Sequence, residues 1–228
     1  MGTSDGMPPF ADRRAAGRLL ADKFKGLWSE RPAVLALPRG GVPVGHEIAV
    51  LLDVPLDVIV TRKIGYPPTP ELGVGAIAEC LAPQAPLAPL AEPVFDWELL
   101  DRLGLGPADL AEVVAAEREE LARRVRVYRG GRPPPAVAGR RVIVVDDGLA
   151  TGGTARAALR SLRTAGASSL VLAVPVAPSP AIDAMRAEAD EVVILATPRR
   201  FASVGEWYES FGQLSDDDVL EVLAGRGS

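Results

Sequence analysis

Val142-Ile143-Val144-Val145-Asp146-Asp147-Gly148-Leu149-Ala150-Thr151-Gly152-Gly153-Thr154 is the stretch from which the rest of the chain is read. Four β-branched residues in a row predict a buried strand. That strand carries two adjacent carboxylates at its C-terminal end, and a small, glycine-rich turn then opens into a helix. Residues 151–154 would point consecutive backbone N–H groups and two threonine hydroxyls at an anion seated on the helix N-terminus. Glycines let the backbone approach such an anion with no Cβ in the way. Asp146 and Asp147 are acceptors suited to vicinal hydroxyls, a metal, or both. A phosphate and a diol held side by side describe a ribose 5-phosphate. An acidic pair also ends many strands with no ligand in view, so the pair alone says little; the whole pattern is far more specific. No Gly-Lys-Ser/Thr follows, which excludes a Walker loop.

Working outward, short apolar runs alternate with helical patterns. Residues 33–37 read as a buried strand ended by Pro38-Arg39-Gly40-Gly41, residues 42–52 as a helix and residues 56–61 as a second strand. Residues 62–75 are rich in Gly and Pro without periodicity and read as a loop, with a third strand over 75–79 and an irregular proline-rich connection over 83–93. Ala15, Leu19, Leu20, Phe24 and Leu27 step at helical spacing through residues 11–27. Residues 109–128 form the clearest helix, although Glu117 interrupts its apolar stripe. Beyond the quoted stretch come a helix over 154–165 stopping at Gly166, a strand over 170–174, a helix over 180–189 and a strand over 192–196. Strands that are apolar without alternation, separated by helices, imply an α/β fold: a doubly wound, mainly parallel sheet covered on both faces. Ligands of such sheets lie outside the C-terminal ends of the strands, where each of these Gly-rich loops would fall.

The quoted stretch resembles the phosphoribosyl pyrophosphate signature of type I phosphoribosyltransferases, most of all the adenine and orotate enzymes. Element order agrees over about residues 10–215. Pro38-Arg39-Gly40-Gly41-Val42-Pro43-Val44, Arg62-Lys63-Ile64-Gly65 and Glu206-Trp207-Tyr208-Glu209 further resemble a group of bacterial phosphoribosyltransferases whose acceptor is unassigned. The resemblance implies one phosphoribosyltransferase domain over residues 1–228, with residues 197–215 as a hood. It implies Mg2+ as cofactor, phosphoribosyl pyrophosphate and a small-molecule acceptor as partners, and a dimer as the family habit.

On this resemblance Ala150, Thr151, Gly152, Gly153 and Thr154 bind substrate phosphate, while Asp146 and Asp147 orient the ribose hydroxyls and favour the metal. Arg39, Gly40 and Gly41 belong to a pyrophosphate loop that often carries a non-proline cis peptide; read alone, the segment is equally an ordinary strand-to-helix turn. Arg62 and Lys63 start a loop that would neutralise pyrophosphate and close as a lid, or would simply be solvated. Phe201, Trp207, Tyr208 and Phe211 either hood the acceptor, with Trp207 contacting it, or pack on the core. Hypoxanthine-guanine enzymes place an acidic residue where this chain has Ala150, which argues against that subfamily. Glu71 and Glu79 are the candidate bases if one is needed; His46 and Cys80 receive no role.

Composition sets the outer bounds. The 228 residues carry a formal net charge of −5, with 48% hydrophobic and 24% charged residues, and no basic stripe suggests a nucleic-acid partner. No apolar run approaches the roughly 20 residues that span a bilayer, so no membrane partner is expected. The N-terminal stretch lacks an apolar signal core, and a lone Cys80 cannot form an internal disulfide; both point to a cytoplasmic protein. A regulator that senses phosphoribosyl pyrophosphate without turnover is the alternative reading, and a phosphoribosyl pyrophosphate synthase would need a longer, duplicated chain.

Overall fold

A computed structural model describes residues 9–26, 31–81 and 92–225. In chain order the strands are β1 (Ala33–Ala36), β2 (Leu56–Val58), β3 (Thr61–Tyr66), β4 (Thr69–Ala78), β5 (Val94–Phe95), β6 (Arg141–Val145), β7 (Ser169–Val176) and β8 (Glu191–Ala196). The helices are α1 (Arg13–Ala21), α2 (Gly41–Leu52), α3 (Trp97–Leu103), α4 (Ala111–Arg129), α5 (Gly153–Thr164), α6 (Ser179–Arg186) and α7 (Asp216–Leu223).

The main sheet has the order β2-β1-β6-β7-β8 with every pair parallel. Its strands lack polar alternation because both faces are covered. Val34, Ile143, Val145 and Val171 pack with Leu20, Val44 and Ile48 of α1 and α2. Leu35, Val142, Val144 and Leu172 pack on the opposite face with Leu159 and Leu162 of α5 and with Met185 of α6. Each such side chain, taken fully out of water, is worth about 1.5–3 kcal/mol. The doubly wound parallel sheet expected from the sequence is therefore present.

Strand order reverses between β1 and β6: α2 carries the chain outward to β2, and α5 carries it the other way to β7. The two loops beside that crevice are residues 37–41 and 146–153, so the fold brings together the two segments marked as anion loops in the sequence.

The second sheet, β3-β4-β5, is antiparallel and corrects the reading of residues 62–75 as a loop. Thr61–Tyr66 pairs with Thr69–Ala78 across a turn at Pro67 and Pro68, with register shifts on both sides of Gly65. A Cβ on Gly65 would come 2.6 Å from the Pro70 carbonyl oxygen, so glycine here permits close strand approach. Buried Ile64, Val74 and Ile77 anchor the hairpin on Leu110, Val114 and Leu121 around α4. The third strand expected over 75–79 is the end of β4.

Other boundaries move less. The first helix ends at Ala21 and continues as a 3-10 turn through Phe24, and β2 stops at Val58. Two short helices escaped the sequence reading: α3, capped by Asp96, and α7, opened by a Ser215/Asp218 capping box. Residues 82–91, most of the proline-rich connection, lie outside the described residues.

Candidate active site

β6 ends at Val145, which sets the geometry for everything that follows. Its carbonyl accepts from Leu37 N at 2.8 Å, tying the loop after β1 to the acidic pair. That loop contains a cis peptide bond between Pro38 and Arg39, as the resemblance implied. Gly40 lies so close to Asp147 that an added Cβ would overlap the carboxylate, standing 2.5 Å from Cγ. An added Cβ on Gly41 would stand 2.9 Å from Asp146 Cα. Gly40 and Gly41 thus pack against the acidic pair with no room for a side chain at either position.

Asp147 is gripped from the other side by Arg13 at the start of α1, whose Nε donates to Asp147 Oδ2 at 2.8 Å. The Arg13 guanidinium also donates to Gly212 O at 2.9 Å and lies 3.8 Å from the Phe211 ring centroid. Tyr208 donates its hydroxyl to the Asp147 carbonyl. Burial and the neighbouring Asp147 push the Asp146 carboxyl well above the usual carboxylate range. Burial also raises Asp147, with Arg13 opposing the shift.

On the other side of Asp147, residues 148–153 turn into α5. Gly152 adopts φ 77 and its Cα faces Met185, 3.0 Å from where a Cβ would sit, so both backbone and space call for glycine. Among the described residues, the amides of Gly152, Gly153, Thr154 and Ala155 donate no hydrogen bond, while the helix ladder begins with Arg156 N to Gly152 O at 2.9 Å. Gly152, Gly153 and Thr154 line a cavity of about 280 Å³ together with Lys63, Gly73, Gly75, Val94, Phe95, Asp96, residues 148–151, Arg156 and Val204. Lys63 is further held by donating to the Glu71 carbonyl at 3.0 Å.

A second cavity of about 290 Å³ lies on the Arg39 side of Asp147, lined by Arg13, Arg39, Gly40, Arg62, Arg124, Asp147, Gln213 and Leu214. Most of the expected site residues thus divide between two cavities, while Asp146 and Gly41 line neither. Lys63, Ala150, Thr151, Gly152, Gly153 and Thr154 line the first, and Arg39, Gly40, Arg62 and Asp147 the second.

Trp207 lines neither. It packs with Phe201 and Val204 against buried Phe10 and Tyr208, and the tail pairs with the N-terminal segment through Phe10 N to Trp207 O at 2.8 Å. Phe201, Trp207 and Tyr208 pack in this cluster, Phe211 is exposed beneath the Arg13 guanidinium, and Val204 reaches the first cavity. Glu79 is no candidate base, because it is buried against Arg129 and Val60 N and faces neither cavity. Glu71 is exposed and lines neither cavity. Arg13, Arg124, Arg156, Asp96 and Val204 were not anticipated; Arg13, Asp96 and Arg124 lie far in sequence from the motifs, whereas Arg156 follows Thr154 by two residues and Val204 precedes Glu206 by two.

Two carboxylates are a small donor set for Mg2+, which takes six oxygens, and among the described residues no group of three His, Cys, Asp or Glu side chains converges. The pair fits a Mg2+ held mainly by phosphate oxygens of a ligand, the usual arrangement for this ion.

The chain is similar to two curated Mycobacterium tuberculosis proteins, "Putative phosphoribosyl transferase Rv0571c" of strain H37Rv and "Putative phosphoribosyl transferase MT0597" of strain CDC 1551. Each is 42% identical over 217 residues, covering 95% of this chain and 47% of the relative. The chain thus spans about half the length of the curated relatives it matches. The solved structure of TT1426 from Thermus thermophilus is 40% identical and superposes with a TM-score of 0.76, covering 97% of this chain and 100% of that one. Residues 11–206 match the phosphoribosyl transferase domain, a span that takes in the loops of residues 37–41 and 146–153 and the hairpin between them, and the chain belongs to that family.

Proposed function

We propose that this protein transfers ribose 5-phosphate from phosphoribosyl pyrophosphate to a small acceptor, a nucleobase or another nucleophile, releasing pyrophosphate. One observation carries the reading: free amides at the start of α5 and the Asp146/Asp147 pair lie side by side at the β1/β6 switch point, with the loop of residues 38–41 packed against them.

In this reading the 5-phosphate sits on the amides and hydroxyls of residues 150–154, and Asp146 and Asp147 accept hydrogen bonds from the ribose diol. Asp146 and Asp147 would hold Mg2+ together with oxygens of the substrate; when bound, the ion neutralises charge on the pyrophosphate. Arg39, Arg62 and Lys63 stabilise the charge that develops as the C1–O bond breaks and pyrophosphate departs with the bonding electrons. The acceptor forms its bond to C1 from the opposite face and gives up a proton to solvent or a base. The apolar wall of Val94, Phe95 and Val204 in the first cavity suits a planar acceptor. No covalent protein nucleophile is required, and positioning supplies much of the effect.

Calorimetry with phosphoribosyl pyrophosphate and Mg2+, followed by a screen of acceptors for pyrophosphate release, tests the proposal. Asp146→Asn with Asp147→Asn should abolish binding or turnover in a folded protein; unchanged turnover would refute the assigned roles. Binding without release for any acceptor, together with salt-sensitive nucleic-acid binding, would support a regulator instead.

A further inference from the structure

The second cavity holds more positive charge than Arg39 and Arg62 provide. Four guanidinium groups from four separate segments line it: Arg13 from α1, Arg39 from the loop before α2, Arg62 from β3 and Arg124 from α4. Each faces a carboxylate, Asp147, Asp216, Glu117 and Glu120 in that order, yet all four side chains line one void.

Three of the four are held by the same edge. Arg13 gives Nε to Asp147, Arg62 gives Nε to Glu117 Oε2 at 2.6 Å, and Arg124 gives Nε to Glu120 Oε1 at 2.7 Å. A guanidinium has five N–H donors, and a carboxylate at Nε occupies only one of them. Among the described residues, the Nη atoms of Arg62 and Arg124 make no hydrogen bond. Both side chains are largely shielded from water, 27% exposed for Arg62 and 14% for Arg124.

Glu117, Glu120 and Arg124 are spaced by three and four residues, so they share one face of α4. This accounts for Glu117, the charged residue that interrupts the helix's apolar stripe. Glu120 and Arg124 alone would be an ordinary helix-surface pair. Glu117 and Arg62 are not: they stand 55 positions apart and join α4 to the hairpin next to the cavity.

We propose that Arg124 binds the departing pyrophosphate beside Arg62, and that Glu120 and Glu117 are positioning residues holding the two guanidinium groups by Nε with their Nη groups left for the ligand. The assignment rests on the phosphoribosyl pyrophosphate reading above, and it brings in α4, an element outside both anion loops. Positioning before the ligand arrives spares these long side chains an ordering cost on binding.

The test is calorimetry of the full chain with Mg2+ against three probes: phosphoribosyl pyrophosphate, inorganic pyrophosphate and ribose 5-phosphate. Arg124→Met should weaken the first two roughly 10- to 100-fold, the size of a lost charge-assisted hydrogen bond, and leave ribose 5-phosphate unchanged. Glu120→Gln, which keeps the side-chain size and serves if Arg124→Met fails to fold, should show a smaller loss with the same selectivity. Arg124→Lys should not restore full affinity, because lysine has no Nε to be held. Equal weakening of all three probes, or unaltered pyrophosphate binding in both variants, overturns the proposal. Arg124-dependent pyrophosphate binding by a protein that ignores both ribose ligands would sink the substrate reading and leave the arginine pocket standing.

Discussion

Gly40→Ala is a clean steric probe of the site. Gly40 has φ −61 and ψ −37, a conformation alanine adopts freely, so the substitution carries no backbone penalty. The new methyl would instead overlap the Asp147 carboxylate, with Cγ 2.5 Å and Oδ1 2.9 Å away. The loop cannot retreat easily, because Leu37 N is bonded to Val145 O and Gly41 N to Leu37 O, at 2.8 and 3.0 Å. The carboxylate therefore has to swing away and release Arg13. Loss of that charged hydrogen bond costs about 1.5–3 kcal/mol. Alanine's smaller unfolded-state entropy offsets about 0.4–1 kcal/mol, leaving a net loss of roughly 1–2 kcal/mol. If Asp147 grips the ribose diol, affinity for phosphoribosyl pyrophosphate should fall about 10- to 100-fold with it. Urea unfolding and calorimetry read the two effects separately. Asp147→Ala removes the group that clashes, so adding Gly40→Ala to it should cost almost nothing further. A Gly40→Ala protein with wild-type stability and wild-type affinity refutes the packing described for this loop.

Three other outcomes follow from the same geometry. Burial, ahead of the attraction of Arg129, lifts the Glu79 carboxyl from 4.5 to about 7. The folded state then holds a proton the unfolded state has lost between those values, so stability present at low pH is lost as pH rises through this window, by up to about 3 kcal/mol. Glu79→Gln should flatten that slope in urea midpoints taken from about pH 5 to pH 8; an unchanged slope would assign it to other groups. Gly152→Ala forces φ 77 on a residue with a Cβ and should lower stability by about 1–2 kcal/mol, with weaker binding of inorganic phosphate; a neutral effect on thermal unfolding would contradict the left-handed conformation. Tyr208→Phe deletes the hydroxyl donated to the Asp147 carbonyl and should cost about 1 kcal/mol while leaving the fold intact, as read by thermal unfolding and near-ultraviolet circular dichroism; no change in midpoint would discount that bond.

How far the sequence could be read depended on whether a residue's role was local. The strand-turn-helix from Val142 to Thr154 was legible because strand burial, adjacent carboxylates and a glycine nest are all fixed within one short stretch. The hairpin was not, because Gly65, Gly73 and Gly75 erase the alternation that marks a strand while serving close strand approach and the register shifts at Gly65. The tail aromatics were ambiguous for the opposite reason: their number was plain, but the choice between cavity and core depended on Phe10, near the other end of the chain.

By itself, the order of residues determined an α/β sheet wound on both faces and an acidic pair followed by a glycine-rich turn at the end of β6, since hydrophobic runs and turn chemistry act between near neighbours. Only the tertiary structure decided that Arg13, Arg62 and Arg124 surround Asp147 and its neighbouring cavity, and that Glu79 lies buried away from it. Those contacts join segments separated by tens to hundreds of positions, and which segments meet is set by how α1, α4 and the β3–β4 hairpin pack, a choice that no local pattern of side chains encodes.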